Sequence, residues 1–177
     1  MTTILDLPDE IHLLIATNLH HKALFALIRV CRSFYSLYLG CLWSDLTVKQ
    51  FTGNIILEPV VRTNAHLVEA ITFSPSLSLD YYTIDFPRLH TLRLQGQLKH
   101  YYCETPLVQK TQFVRRHTNV RTLIYQHKDV ISKELWEVVG TEWTLLEVFH
   151  FLGDITHDAL DAFWRICSQV QELRLMG

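Results

Sequence analysis

From Trp43 onward one short pattern recurs and limits what this chain can fold into: an apolar residue, two others, an apolar residue, one other, an apolar residue. It appears as Trp43/Leu46/Val48, Val68/Ile71/Phe73, Leu89/Leu92/Leu94, Val120/Leu123/Tyr125, Leu146/Phe149/Phe151 and Val170/Leu173/Leu175. In a chain that is 49% hydrophobic such triples also arise by chance, so their spacing carries the argument. The central residues lie 25, 21, 31, 26 and 24 positions apart, room for one strand and one return segment each time. The last two apolar positions of each triple lie two residues apart, the period of a strand with one buried face. Between triples the sequence predicts helices over Leu107 to Arg116, over Ser132 to Val139 with Ser132 as cap, and over Thr156 to Cys167 with Leu160, Phe163, Ile166 and Cys167 on one face. Pro75 to Tyr82 and Gly96 to Pro106 show no clear period and are expected to be loops.

A strand that buries one face, followed by a helix that buries one stripe, closes a core by stacking on a copy of itself, and repetition yields a parallel-sheet solenoid. The alternation resembles irregular leucine-rich repeats, whose period is about 20 to 29 residues, although the usual asparagine after the third apolar position is missing. The expected class is therefore α/β, and the competing arrangement is a doubly wound sheet with the same periodicity. In a solenoid, the strand residues between the apolar ones form two surface rows. One is Ala70, Thr91, Thr122, Val148 and Glu172; the other is Thr72, Arg93, Ile124, His150 and Arg174. The second row is the expected ligand-binding one, and Arg93 and Arg174 suit an acidic or phosphorylated peptide, with solvated surface charge as the plainer explanation.

Before the first triple, Leu5 to Trp43 reads as three short amphipathic helices. Pro8 tolerates a first helical turn, Asp9 and Glu10 favour its positive end, and Ile11, Leu14, Ile15 and Leu19 recur at helical spacing. Leu24, Leu27, Ile28 and Cys31 form a second stripe after His20-His21-Lys22, and Phe34, Leu37 and Tyr38 a third, which Gly40 is expected to end. A segment of about 40 residues is too small to bury a core alone without a disulfide, a metal or a partner. Several of these stripes cannot all point inward, so another chain is expected to cover the remainder.

Leu7-Pro8-Asp9-Glu10-Ile11, Val30-Cys31-Arg32 and Leu42-Trp43 together resemble the F-box, whose pattern opens with Leu-Pro and an acid, carries a Val-Cys-basic element and closes with Leu-Trp. The chain departs from it at Phe34, where the family usually has tryptophan, and at His20-His21, where an acid or proline is usual. FPRLHTLRL and CSQVQELRL look much like phrases that follow F-boxes in many fungal proteins. The resemblance implies an F-box module over residues 1–45 and a leucine-rich region over residues 46–177. It further implies the non-catalytic receptor subunit of a cullin-RING ubiquitin ligase, docked on a small SKP-type adaptor and through it on a cullin. On the matching positions, Leu7, Pro8, Ile11, Leu14, Ile15, Leu24, Val30 and Cys31 would line or support the adaptor-facing surface, and Trp43 would close the module against the first repeat. A scaffold that binds partners without delivering them for ubiquitination is the alternative.

Composition narrows the remaining classes. Sixteen Lys and Arg among eighteen acids, net charge −2, leave no basic stripe to track a phosphate backbone, so nucleic acid is not the expected partner. Cys31, Cys41, Cys103 and Cys167 lack CxxC spacing and are expected to be reduced thiols of a cytoplasmic or nuclear protein. No apolar run reaches a membrane span. The ten histidines are scattered, with no HExxH, and are expected at the solvent or the rims; no phosphate loop and no GxSxG occurs, and Asp154 and Asp158 read as helix-start charges. No cofactor, metal or catalytic residue is expected. An apolar strand at Leu175 with no following helix suggests an incomplete repeat array.

Overall fold

The structure, a computed structural model, describes residues 4–48, 58–73, 79–96, 107–127 and 132–175. The chain divides into two compact units, Met1–Asp45 and Leu46–Gly177.

The first unit holds a 3-10 turn at Ile4–Asp6 and three helices, α1 (Asp9–Thr17), α2 (His21–Leu27) and α3 (Arg32–Ser44). The Pro8 carbonyl accepts the amides of Ile11 and His12 at 3.0 and 3.2 Å, so the proline starts α1 without needing an N–H of its own. Ala16, Leu24, Phe34 and Tyr38 form the core, with Leu27, Ile28, Leu37 and Leu42 packed against it. Gly40 does not end α3, which runs on to Ser44. One glycine costs a helix about 1 kcal/mol, and the stripe Phe34, Leu37, Tyr38, Cys41 outweighs it by packing on the core.

The second unit is built on one six-stranded sheet in the order β1 (Asp45–Val48), β2 (Ala70–Phe73), β3 (Thr91–Gly96), β4 (Thr122–His127), β5 (Val148–Leu152) and β6 (Glu172–Leu175). Pairing from β2 to β6 is parallel throughout. A doubly wound sheet reverses its strand order at a switch point; this order follows the sequence without reversal. The connections carry α4 (Glu58–Asn64), α5 (Leu107–Arg116), α6 (Lys133–Glu142) and α7 (Leu160–Gln169). Ser132 caps α6 by accepting the Leu135 amide. Of the two expected loops, Leu79–Thr83 is a 3-10 turn that buries Tyr81 and Gly96 closes β3, while Pro75 to Ser78 and residues 97–106 lie outside the described residues.

The strands β3 to β6 each enter the sheet through the same joint. The carbonyl of Glu69 accepts the amides of His90 and Thr91; that of His90 accepts Arg121 and Thr122; that of Arg121 accepts Glu147 and Val148; that of Glu147 accepts Gln171 and Glu172, all at 2.8 to 3.1 Å. The sheet is thereby held in register, and successive side chains alternate between its faces. Ile71, Phe73, Leu92, Leu123, Tyr125, Phe149 and Phe151 are buried on one face. That face carries the helices: Phe113 of α5 meets Phe73 edge-on, and Trp136 of α6 and Phe163 of α7 both meet Phe149 and Phe151. Trp143, just after α6, donates its indole N–H to the Val114 carbonyl at 3.0 Å and so ties α6 to α5. At the β6 edge the pattern changes. Leu173 and Leu175 remain exposed, where the corresponding residues of β2 to β5 are buried or half-buried.

Candidate protein-binding surfaces

The helical unit turns its sequence stripe outward. On α1 the inward positions are His12 and Ala16, one helical turn apart, whereas Ile11 and Leu14 are 41% and 61% exposed. A hydrogen bond explains the rotation: His12 Nδ1 lies 2.7 Å from the Tyr38 hydroxyl, with the imidazole edge-on to the Phe34 and Tyr38 rings. Burial raises the Tyr38 pKa and Cys41 adds to the shift, so the phenol keeps its proton. Burying this polar pair releases the larger aliphatic side chains to the surface. Among the described residues His12 Nε2 is buried without a partner, a cost of about 1 to 3 kcal/mol.

Of the eight residues expected to serve this surface, Leu7, Pro8, Ile11, Leu14 and Val30 are exposed, and Ile15 and Cys31 are half-buried. For Leu24 the structure leaves only the supporting one of the two expected roles. It is 4% exposed, a core residue that supports the surface from beneath and cannot be reached by a docking chain. Ile4, Leu5, Leu13, Phe25 and Tyr35 are exposed as well and were not expected. Leu13 and Phe25 fall off the 3.6-residue stripes; their signal in the sequence is that the runs IHLLI on α1 and LFALI on and just after α2 are apolar nearly all round. Monomeric proteins seldom expose so many aliphatic and aromatic side chains on one small unit, and such surfaces mark interaction sites.

On the sheet unit, Thr72, Arg93, Ile124, His150 and Arg174 stand in one register row, and Ala70, Thr91, Thr122, Val148 and Glu172 in the neighbouring one. The two rows share the face opposite the helices. Their charges are less basic than the sequence suggests. Glu172 Oε1 accepts the Arg174 Nε–H at 2.8 Å and lies 3.0 Å from His150 Nε2. The hydrogen bond to His150, then the nearby Arg174 charge, hold the Glu172 carboxyl below the usual carboxylate range. An anionic ligand would have to displace this carboxylate from Arg174. Ile124 in one row and Val148 in the other put aliphatic side chains between polar neighbours.

The histidines depart from expectation in two places. His12 and His117 are buried rather than at the rims. Among the described residues no group of three His, Cys, Asp or Glu is placed to hold a metal ion, and no helix is long and apolar enough to cross a membrane. Cys31, Cys41 and Cys167 are thiols rather than halves of disulfides, and burial raises the Cys167 pKa.

Comparison with protein families matches residues 4–49 to the F-box-like family, a span that takes in every described residue of the helical unit. The chain thus carries an F-box-like domain at its start, followed by a mixed α/β region with a parallel sheet. No curated protein matches the chain.

Proposed function

We propose that this chain is the substrate-recognition subunit of an SCF-type cullin-RING ubiquitin ligase. Its F-box-like helices dock on the SKP-type adaptor, through it on a cullin, and its strand-helix units act as an irregular leucine-rich-repeat solenoid that binds the protein to be ubiquitinated. The observation that carries the reading is the pairing of an F-box-like match over residues 4–49 with an uncovered apolar surface at Leu7, Pro8, Ile11, Leu14 and Val30. Covering one such aliphatic side chain contributes about 1.5 to 3 kcal/mol, so a few anchors suffice for a stable complex. The subunit itself needs no catalytic group, since its role is to bring a substrate near a transferase held by the cullin. Strictly sequential parallel pairing with helices against one face leaves the other face to carry two continuous side-chain rows, which supports substrate capture there. The proposed contact row is Thr72, Arg93, Ile124, His150 and Arg174, in the cytoplasm or nucleus.

The test is copurification of the chain with adaptor and cullin. Adaptor and cullin together are the expected result; adaptor without cullin would replace the ligase with a binding scaffold, and no adaptor would remove the reading altogether.

A further inference from the structure

We propose that the ligand of the sheet face is an uncharged, aliphatic segment of a partner protein, with a hydrogen-bond donor that Nδ1 of His150 reads; the inference rests on the substrate-receptor reading above and names the class of its substrate. The aliphatic part is local. Along β5, Val148, His150 and Leu152 follow one another on the face away from the helices, and Ile124 of β4 stands beside His150 in register. At about 3.3 Å per residue, Val148 and Leu152 lie about 13 Å apart with His150 midway. Ile124 and Val148 are half-buried and Leu152 is 39% exposed, so all three keep surface for a ligand to cover. Thr122 and Gln126, beside Val148 and Leu152 on β4, are uncharged as well.

The cations that an acidic ligand would need are already taken. Arg174 is paired with Glu172, and Arg93 is engaged within the chain. An acidic or phosphorylated peptide, the class the two arginines suggest in the sequence, would set its own charge beside the Glu172 carboxylate, whereas an uncharged segment leaves the pair of Glu172 and Arg174 intact. His150 gives this patch a direction. A carboxylate only accepts hydrogen bonds, and Glu172 is held in the carboxylate form, so His150 Nε2 is the donor across their 3.0 Å contact. The neutral ring then keeps its lone pair on Nδ1, an acceptor to which no described residue donates, on a side chain 18% exposed. Glu172 is thus a positioning residue that decides which nitrogen is offered, and a backbone N–H or a hydroxyl of the ligand is what fits it. Covering Ile124, Val148 and Leu152 excludes water from that bond and strengthens it.

The probe is a library of random peptides displayed on phage, first depleted on the Ile124→Asp chain to remove peptides that bind elsewhere and then selected on the wild-type full chain. Enrichment of peptides rich in aliphatic residues and poor in Asp and Glu is expected. Binding of the synthesised peptides is expected to weaken about tenfold or more in His150→Phe, with the melting temperature near the wild-type value. Glu134→Gln, on an exposed position of α6, is expected to leave binding unchanged. Heteronuclear NMR of the His150 imidazole is expected to place the proton on Nε2. No enrichment, enrichment of acidic peptides, tighter binding once a phosphoserine is built into a selected peptide, or a proton on Nδ1 would each overturn the proposal. Adaptor copurification on the same preparation separates the two readings: a chain that holds the adaptor yet selects acidic peptides overturns the ligand class alone, and one that selects aliphatic peptides without holding the adaptor supports the class and removes the receptor reading.

Discussion

His117 Nε2 accepts the Phe86 amide proton at 2.9 Å, joining the end of α5 to the loop that precedes β3. An Nε2 that accepts carries no proton, so Nδ1 does, and it donates to the Phe113 carbonyl at 2.7 Å. Burial lowers the His117 pKa despite the Asp85 carboxylate 3.6 Å away, which is largely exposed and does not make this contact an ion pair. Both ring nitrogens serve the backbone only while the imidazole is neutral.

Acid should therefore loosen this unit. A histidine whose folded pKa lies below its unfolded value, about 6.5, binds more protons when unfolded, so its contribution is fully present above that pH and is lost as pH falls below it. Urea midpoints of the wild type are expected to drop from pH 7.5 to pH 5.5, and His117→Gln to show a lower midpoint at pH 7.5 with a shallower pH dependence. An equal slope in the variant would assign the acid sensitivity elsewhere.

The two helical glycines should respond oppositely to alanine. A Cβ at Gly40 meets nothing within 4 Å, so Gly40→Ala is expected to stabilise by about 0.5 to 1 kcal/mol. At Gly140 a Cβ would sit 3.3 Å from Ile166 Cγ1, and Ile166 is 1% exposed with no room to retreat. Gly140→Ala is expected to lose what the helix gains, with thermal denaturation of both variants as the measurement.

Leu14 and Leu24 separate docking from folding. Leu14→Glu on the exposed face is expected to abolish adaptor copurification while leaving the melting temperature near the wild-type value. Leu24→Ala opens the core and is expected to cost about 2 to 5 kcal/mol. Leu7→Ala with Pro8→Ala should behave as Leu14→Glu does, and retained adaptor binding in both would exclude this surface.

Removing the polar pair at the centre of the helical unit should cost less than halving it. Tyr38→Phe leaves both His12 nitrogens without partners and is expected to destabilise by about 1 to 3 kcal/mol, whereas Tyr38→Phe with His12→Leu is expected to recover most of the loss. Chemical denaturation of the single and double variants measures the difference.

The strands were legible because a period of two is read directly from Ile71/Phe73 or Phe149/Phe151, and the rows through Thr91 and Arg93 follow from it. Helix α5 was legible to its ends for a similar reason, its apolar residues Leu107, Phe113 and Val114 being set off by polar ones. What the sequence hid was the inward side of α1: the F-box resemblance places Ile11 and Leu14 at a docking surface, but only the distant Tyr38 shows why the polar His12 is the residue buried behind them. The charge of the surface row was hidden likewise, since Glu172 neutralises Arg174 through a contact that counting basic residues does not register.

The joint at Glu69, His90, Arg121 and Glu147 is made wholly of peptide groups. Alignment between strands is therefore indifferent to side-chain identity at those positions and to the length of the chain between them: Thr91 meets Ala70 across 21 residues and Thr122 across 31. Connecting spans can lengthen or shorten, and outward residues can be exchanged, without disturbing which residues stand side by side. A proline at Thr91, Thr122, Val148 or Glu172 is the change such a sheet would not absorb, because it deletes the amide that sets the alignment.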